Sequence, residues 1–115
     1  MSWDVSLSNG GYIVSVPKFS EGGMRAIGGD TIASLNITYN YSSLFHQALD
    51  RAKGLDWLHG KQAGICIRRL QEVVIKLGIV QADDYWAATE GNVGHALNIL
   101  LGWAYMYPDA IFHVD

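Results

Sequence analysis

Tyr85-Trp86-Ala87-Ala88-Thr89-Glu90-Gly91-Asn92-Val93-Gly94-His95-Ala96-Leu97-Asn98-Ile99-Leu100-Leu101-Gly102-Trp103-Ala104-Tyr105-Met106-Tyr107-Pro108 is the stretch that decides the architecture. Thr89 can accept a hydrogen bond from the first free N–H groups of a helix. Pro108 ends that helix, because proline lacks the N–H and its ring clashes with the preceding turn. Between them apolar residues fall on nearly every side, so the predicted helix of about 90–107 sits at the centre of a small fold. A helix so placed must be covered by other elements, and the rest of the chain supplies them.

The first third reads as β-structure. Trp3-Asp4-Val5-Ser6-Leu7 alternates large apolar with polar residues, Ser8-Asn9-Gly10-Gly11 provides turn chemistry, and Tyr12-Ile13-Val14-Ser15-Val16 resumes the alternation. An Asn-Gly step between two such runs predicts a hairpin, and Pro17 ends its second arm. Glu21-Gly22-Gly23 and Gly28-Gly29-Asp30 flank a short segment that is either a loop or a minor hairpin. From Thr31 to Tyr41 the alternation is cleanest, with Leu35, Ile37, Tyr39 and Tyr41 on one face and Ser34, Asn36, Thr38 and Asn40 on the other. That pattern belongs to an antiparallel sheet covered on one side only.

Two further helices follow. Ser42 or Ser43 can cap one running through Ala52, with Gly54 closing it. Leu55 to Gly60 forms a connector carrying Trp57. The next helix spans about Gln62 to Leu77, with Cys66, Leu70, Val73, Val74 and Leu77 at core spacing. Arg68, Gln71, Glu72 and Lys76 take its wet side, Glu72 and Lys76 as an i,i+4 pair. Gly78 stands where a left-handed cap belongs. Ala110 to Val114 is a predicted last strand. The expectation is therefore a single α+β domain over 1–115. Its antiparallel sheet combines an N-terminal hairpin, a strand of about 31–41 and a C-terminal strand, packed on one face by about three helices.

Composition bounds the function. Of the 115 residues 50% are hydrophobic and only 17% charged, which leaves few charges to cover the surface of so small a domain and points to apolar surface available for a partner. For such a chain the commonest partner is a second copy, so a homo-oligomer is expected. The net charge of −3, with eight scattered basic residues, argues against a nucleic-acid binder. The longest apolar stretch, Ala96 to Tyr107, is shorter than the ~20 residues that a membrane span needs. The first residues carry neither a basic start nor an apolar run, and the single Cys66 fits a reducing compartment. The expected location is the cytoplasm.

Residue types that carry chemistry are sparse. Gly91, Gly94, Asn98 and Gly102 share one stripe of the central helix. Either backbone packs closely there, or the helix N-terminus leaves room for an anion. His95, one turn into that helix, is either a hydrogen-bonded core histidine or part of a ligand site. His46 and Asp50, spaced i,i+4, make either a surface pair or a weak metal pair. His59 caps or packs in its connector, and His113 has no partner indicated. No zinc, calcium or nucleophile motif is present, so the sequence implies no cofactor, no metal and no catalytic residue. Asp83-Asp84 reads as a solvated turn. The aromatics Trp57, Tyr85, Trp86, Trp103, Tyr105 and Tyr107 either fill the core or serve as interface anchors.

Thr38-Tyr39-Asn40-Tyr41-Ser42 with Leu44-Phe45, then Gly54-Leu55, Trp57-Leu58 and Gly60-Lys61, then Asp84-Tyr85-Trp86 with Thr89, Gly91-Asn92, Gly94, Ala96-Leu97, Leu100-Leu101 and Trp103-Ala104 carry a resemblance. Over most of its length the chain resembles a group of small uncharacterised proteins of bacteria and their phages. Glu90 departs from the proline expected in the first helical turn. The resemblance brings no activity and no site residue, and it implies a small accessory or interaction protein. Two functions follow from the sequence. One is a cytoplasmic interaction module acting as a homo-oligomer. The alternative is a small-ligand-binding or catalytic domain, with a pocket at the N-terminus of the 90–107 helix formed by Thr89, Asn92, His95 and Trp57.

Overall fold

The computed structural model describes residues 1–17 and 31–115, together with the backbone of Arg25–Ala26. The segments around Glu21-Gly22-Gly23 and Gly28-Gly29-Asp30 lie outside the described residues. Five strands, β1 Ser2–Asn9, β2 Tyr12–Ile13, β3 Arg25–Ala26, β4 Ser34–Thr38 and β5 Ile111–Val114, form one antiparallel sheet. Its path runs β2-β1-β4-β3, with β5 on β1 as well. Helices α1 Ser42–Ala48, α2 Ala63–Leu77 and α3 Glu90–Met106, with 3-10 turns at Tyr39–Tyr41 and Gly54–Leu58, complete the α+β fold.

The register explains why one sheet face is core. Trp3 stands opposite Ile37, Val5 opposite Leu35 and Val114, and Leu7 opposite Phe112. These apolar side chains therefore line up in rows and join the buried residues of the helices in a single cluster. The opposite face presents short polar groups, and there Asn36 Nδ2 donates to Ser2 Oγ and to Asp4 Oδ1, each at 2.7 Å. Gly10 and Gly11 take φ of 61° and 88° at the hairpin tip, the left-handed conformation that the turn needs. The outer edge of β5 is covered by the connector into α2, through Gly60 N to Phe112 O, Phe112 N to Lys61 O and Ala63 N to Ala110 O.

Several expected boundaries shift. The second hairpin arm forms a ladder with β1 over Tyr12–Ile13, and Val14 N still donates to Leu7 O. It then peels away to meet residues 31–33, with Ala33 N donating to Val14 O and Val16 N to Thr31 O. The expected 31–41 strand thus shrinks to Ser34–Thr38, because its first residues serve that arm and its last ones coil into a 3-10 turn. Thr38 sets that turn by accepting the N–H of Asn40. Tyr39 is thereby thrown outward against Trp3 (4.6 Å between ring centroids), while Tyr41 stays buried. Ser34 and Thr38, expected on the wet side, are buried.

Helix α1 ends at Ala48 rather than Ala52, and Tyr41, whose side chain makes no capping hydrogen bond, stands at its N-cap where Ser42 or Ser43 was expected. Asp50 Oδ2 accepts the N–H of Lys53, and His46 Nδ1 donates to Arg51 O. The two groups considered for a metal pair instead fold the chain out of the helix, toward Gly54 at φ 58°. In α2 the Glu72 carboxylate turns back to Arg68 (3.5 Å) and Arg69 (3.6 Å), so the expected pair with Lys76 gives way. Buried Cys66 faces the core, where burial pushes its thiol pKa up, as expected of an inert cysteine. No helix among the described residues is long and apolar enough to cross a membrane.

Candidate functional site

Between α2 and α3 the chain crosses the start of α3 at van der Waals contact. Gly78, at φ 75°, turns it out of α2. A Cβ built on Gly94 would lie 2.9 Å from the carbonyl carbon of Gly78, and one on Gly91 would lie 2.7 Å from that of Val80, with the oxygens closer still. The glycine stripe is close backbone packing at these two positions. Gly102 differs, since among the described residues nothing lies within 4 Å of a Cβ built there.

The crossing segment is then locked from beneath by Asn92, whose side chain is fully buried. Its Oδ1 accepts the N–H of Ala82 at 3.0 Å, and its Nδ2 donates to the carbonyls of Asp84 (3.0 Å) and Ala87 (2.9 Å). Thr89 Oγ1 accepts the N–H of Asn92 at 3.2 Å, the expected cap. From the sheet side, Tyr41 donates its hydroxyl to the carbonyl of Tyr85, and Asn40 Nδ2 donates to that of Trp86 at 2.9 Å. Asp84 Oδ1 accepts the N–H of Trp86 at 3.0 Å. Burial, and after it the negative charge of Asp84, pushes the Tyr41 phenol up to about 12. The hydroxyl therefore stays protonated and can donate throughout the neutral range.

The result is a loop whose backbone is held from Asp84 to Ala87 while its two aromatic side chains face outward. Tyr85 is 45% exposed and Trp86 51%. Tyr39, next to Asn40 in the chain, adds a third exposed ring. A rigid backbone carrying exposed aromatics is the arrangement that lowers the entropy lost on binding.

Thr89 and Asn92 are brought together, but their polar atoms are engaged by the chain itself. His95 follows one turn later, part-buried, with a buried Nε2 that has no hydrogen-bond partner. Trp57 belongs to the Gly54–Leu58 turn, which packs against β5, and the Lys61 ammonium lies 4.6 Å from its ring centroid. Tyr41 and Asn40 are the site residues that the sequence reading missed. The available signal was the phenol of a tyrosine on the core face, which needs a partner when buried.

An open cleft of about 490 Å³ elsewhere on the surface is lined by Lys53, Asp56, His59 and Val114. His59 Nδ1 accepts the N–H of Val114 at 2.9 Å, which is a packing role. His113, for which no partner was expected, shares a 2.8 Å hydrogen bond between its Nε2 and Ser8 Oγ. Among the described residues no group of three or more His, Cys, Asp or Glu side chains could hold a metal ion. Comparison of the chain with protein-family models, with curated proteins and with solved structures finds no match. The resemblance drawn from the motifs gains no support from these comparisons.

Proposed function

We propose that the protein is a small cytoplasmic interaction module that acts as a homo-oligomer and engages a partner protein through the Tyr85–Trp86 loop. One observation carries this reading: the loop backbone is fixed by Asn92, Tyr41, Asn40 and Asp84, yet its aromatic side chains are half exposed. Aromatic anchors with few rotatable bonds on a preorganised backbone are characteristic of interface hot spots. The test places a photo-crosslinking residue at position 86 and, as a control, at the exposed Tyr12 of the hairpin, in the full chain expressed in cells. A discrete adduct is expected at 86 and not at 12, and Trp86→Ala should weaken binding of the cross-linked protein while leaving the melting temperature unchanged. Equal adduct yields at the two positions, or undiminished binding by Trp86→Ala, would overturn the reading.

A second reading, a small-ligand site beside α3, draws on the buried and unpartnered His95 Nε2. A thermal-shift screen of metals, nucleotides and phosphosugars tests it. A ligand at about 100 times its Kd adds roughly 2.7 kcal/mol. A shift that His95→Ala abolishes would favour this reading, and a flat screen would remove it.

A further inference from the structure

Among the described residues nothing in a single chain requires glycine at position 102. It lies in the helical interior of α3, is exposed, and a Cβ there would meet nothing within 4 Å. Mid-helix glycine is disfavoured against alanine by its backbone entropy. Gly91 and Gly94 are explained by the crossing segment, and Gly102 is not.

Its surroundings supply a second observation. No charged residue occurs from Gly91 to Tyr107, although a solvent-facing helix stripe normally carries charges. Steps of three and four from Gly102 reach Tyr105 and Met106, which are 52% and 46% exposed. The Tyr105 hydroxyl accepts from Gln71 Nε2 of α2. One turn beyond Gln71, Ile75 is 83% exposed, and Ile79 and Val80 extend the apolar surface past the end of α2. Loss of charge with retention of Tyr and Met marks the centre of an interface rather than a solvated face.

We propose that this face is where two copies of the chain meet, their α3 helices crossing at Gly102. The proposal rests on the self-association included in the function above and gives it a surface. A second copy fits for two reasons. Close approach of two helix backbones needs a small residue on both, and a two-fold crossing supplies the same glycine twice. Taking roughly 150–200 Å² for a fully exposed large side chain, Tyr105, Met106, Ile75, Ile79 and Val80 expose roughly 500 Å² of apolar surface. Two copies would bury about twice that, the ~1,000 Å² that a specific interface has to reach.

The experiment is sedimentation equilibrium on the full chain over a concentration series, for the native sequence, Gly102→Lys, Met106→Lys and Trp86→Ala. The native chain and Trp86→Ala should show twice the mass of one chain, and both lysine variants the mass of one. Far-UV circular dichroism of the lysine variants should match the native monomer at high dilution. If Gly102→Lys fails to fold, Met106→Lys decides, because its side chain starts in solvent. A native chain monomeric at every concentration, or a dimer that survives a folded lysine variant, would overturn the proposal. A monomer that still cross-links through position 86 would remove this dimer and leave the loop reading standing. A dimer without an adduct at 86 would do the reverse.

Discussion

Gly94→Ala adds one methyl group, and the structure leaves it no room. The new Cβ would sit 2.9 Å from the carbonyl carbon of Gly78, closer still to its oxygen, and 3.2 Å from Leu77 Cβ. Two of these neighbours are backbone, at a residue held at φ 75°, so no side-chain rotation relieves the clash. Overpacking in a well-packed interior costs about 1–3 kcal/mol, and a contact against backbone belongs at the upper end, about 3 kcal/mol. Alanine recovers about 1 kcal/mol of helix propensity. The net expectation is a loss of about 2 kcal/mol. Gly102→Ala in the same helix gains the propensity term without a clash, because none of the described residues lies within 4 Å of the new Cβ. Measured at high dilution, where self-association does not enter, it should be more stable by up to about 1 kcal/mol. Urea titration followed by circular dichroism gives both values from the shift in midpoint at constant slope. If Gly94→Ala falls within about 0.5 kcal/mol of the native chain, the close crossing of the 78–80 segment over α3 is refuted, and with it the explanation of the glycine stripe.

Three other outcomes follow from the same loop and its surroundings. Asn92→Ala leaves one N–H and loses a donor to two carbonyls, so it should cost about 3 kcal/mol and speed amide exchange at Ala82 and Trp86, read by hydrogen-exchange NMR. The Tyr41 phenol, raised from 10.0 to about 12 in the fold, contributes stability that is complete below pH 10 and lost as pH climbs toward 12, because the unfolded chain then releases its proton more readily. Tyr41→Phe should therefore flatten the fall in stability between about pH 10 and 12, and urea melts showing the same pH dependence of stability in both proteins would contradict it. Cys66, buried with its thiol pKa raised, should resist iodoacetamide in the native protein and react only at the rate of unfolding, as mass spectrometry would show.

The elements that local chemistry determines were legible in the residues. Gly78, Thr89 and Pro108 mark the end of α2 and both ends of α3 because caps and breakers act within one turn of the chain. Alternation located the core face of the sheet for the same reason, since neighbours on a strand alternate wherever it lies. It misled at Tyr39, where Thr38 closes a 3-10 turn inside a run that still alternates. Asn92 shows the other limit. Its place in the first turn of a helix offered it as a ligand group, but its partners lie five, eight and ten residues back, beyond any helical or strand period. The tertiary partners of Gly91 and Gly94 were equally invisible, although their spacing announced that something packs there.

These two limits meet in one segment, and that coincidence supports the functional reading. The chain between α2 and α3 is pressed against α3 where glycine replaces side chains, and just beyond it Asn92 fixes the backbone from below. A loop fastened so closely already engages its carbonyls at Asp84, Tyr85, Trp86 and Ala87, which are taken by Asn92, Tyr41 and Asn40. What it does offer is two half-exposed aromatic side chains on a fixed backbone. Burial of one such ring at an interface removes roughly 150–250 Å² from water, with little further backbone ordering to pay for. The Tyr41–Tyr85 hydrogen bond ties that display to the sheet. Tyr41→Phe should therefore weaken partner capture at position 86 even where the domain remains folded, whereas a purely structural role for the phenol would lower stability and leave binding by the folded fraction unchanged.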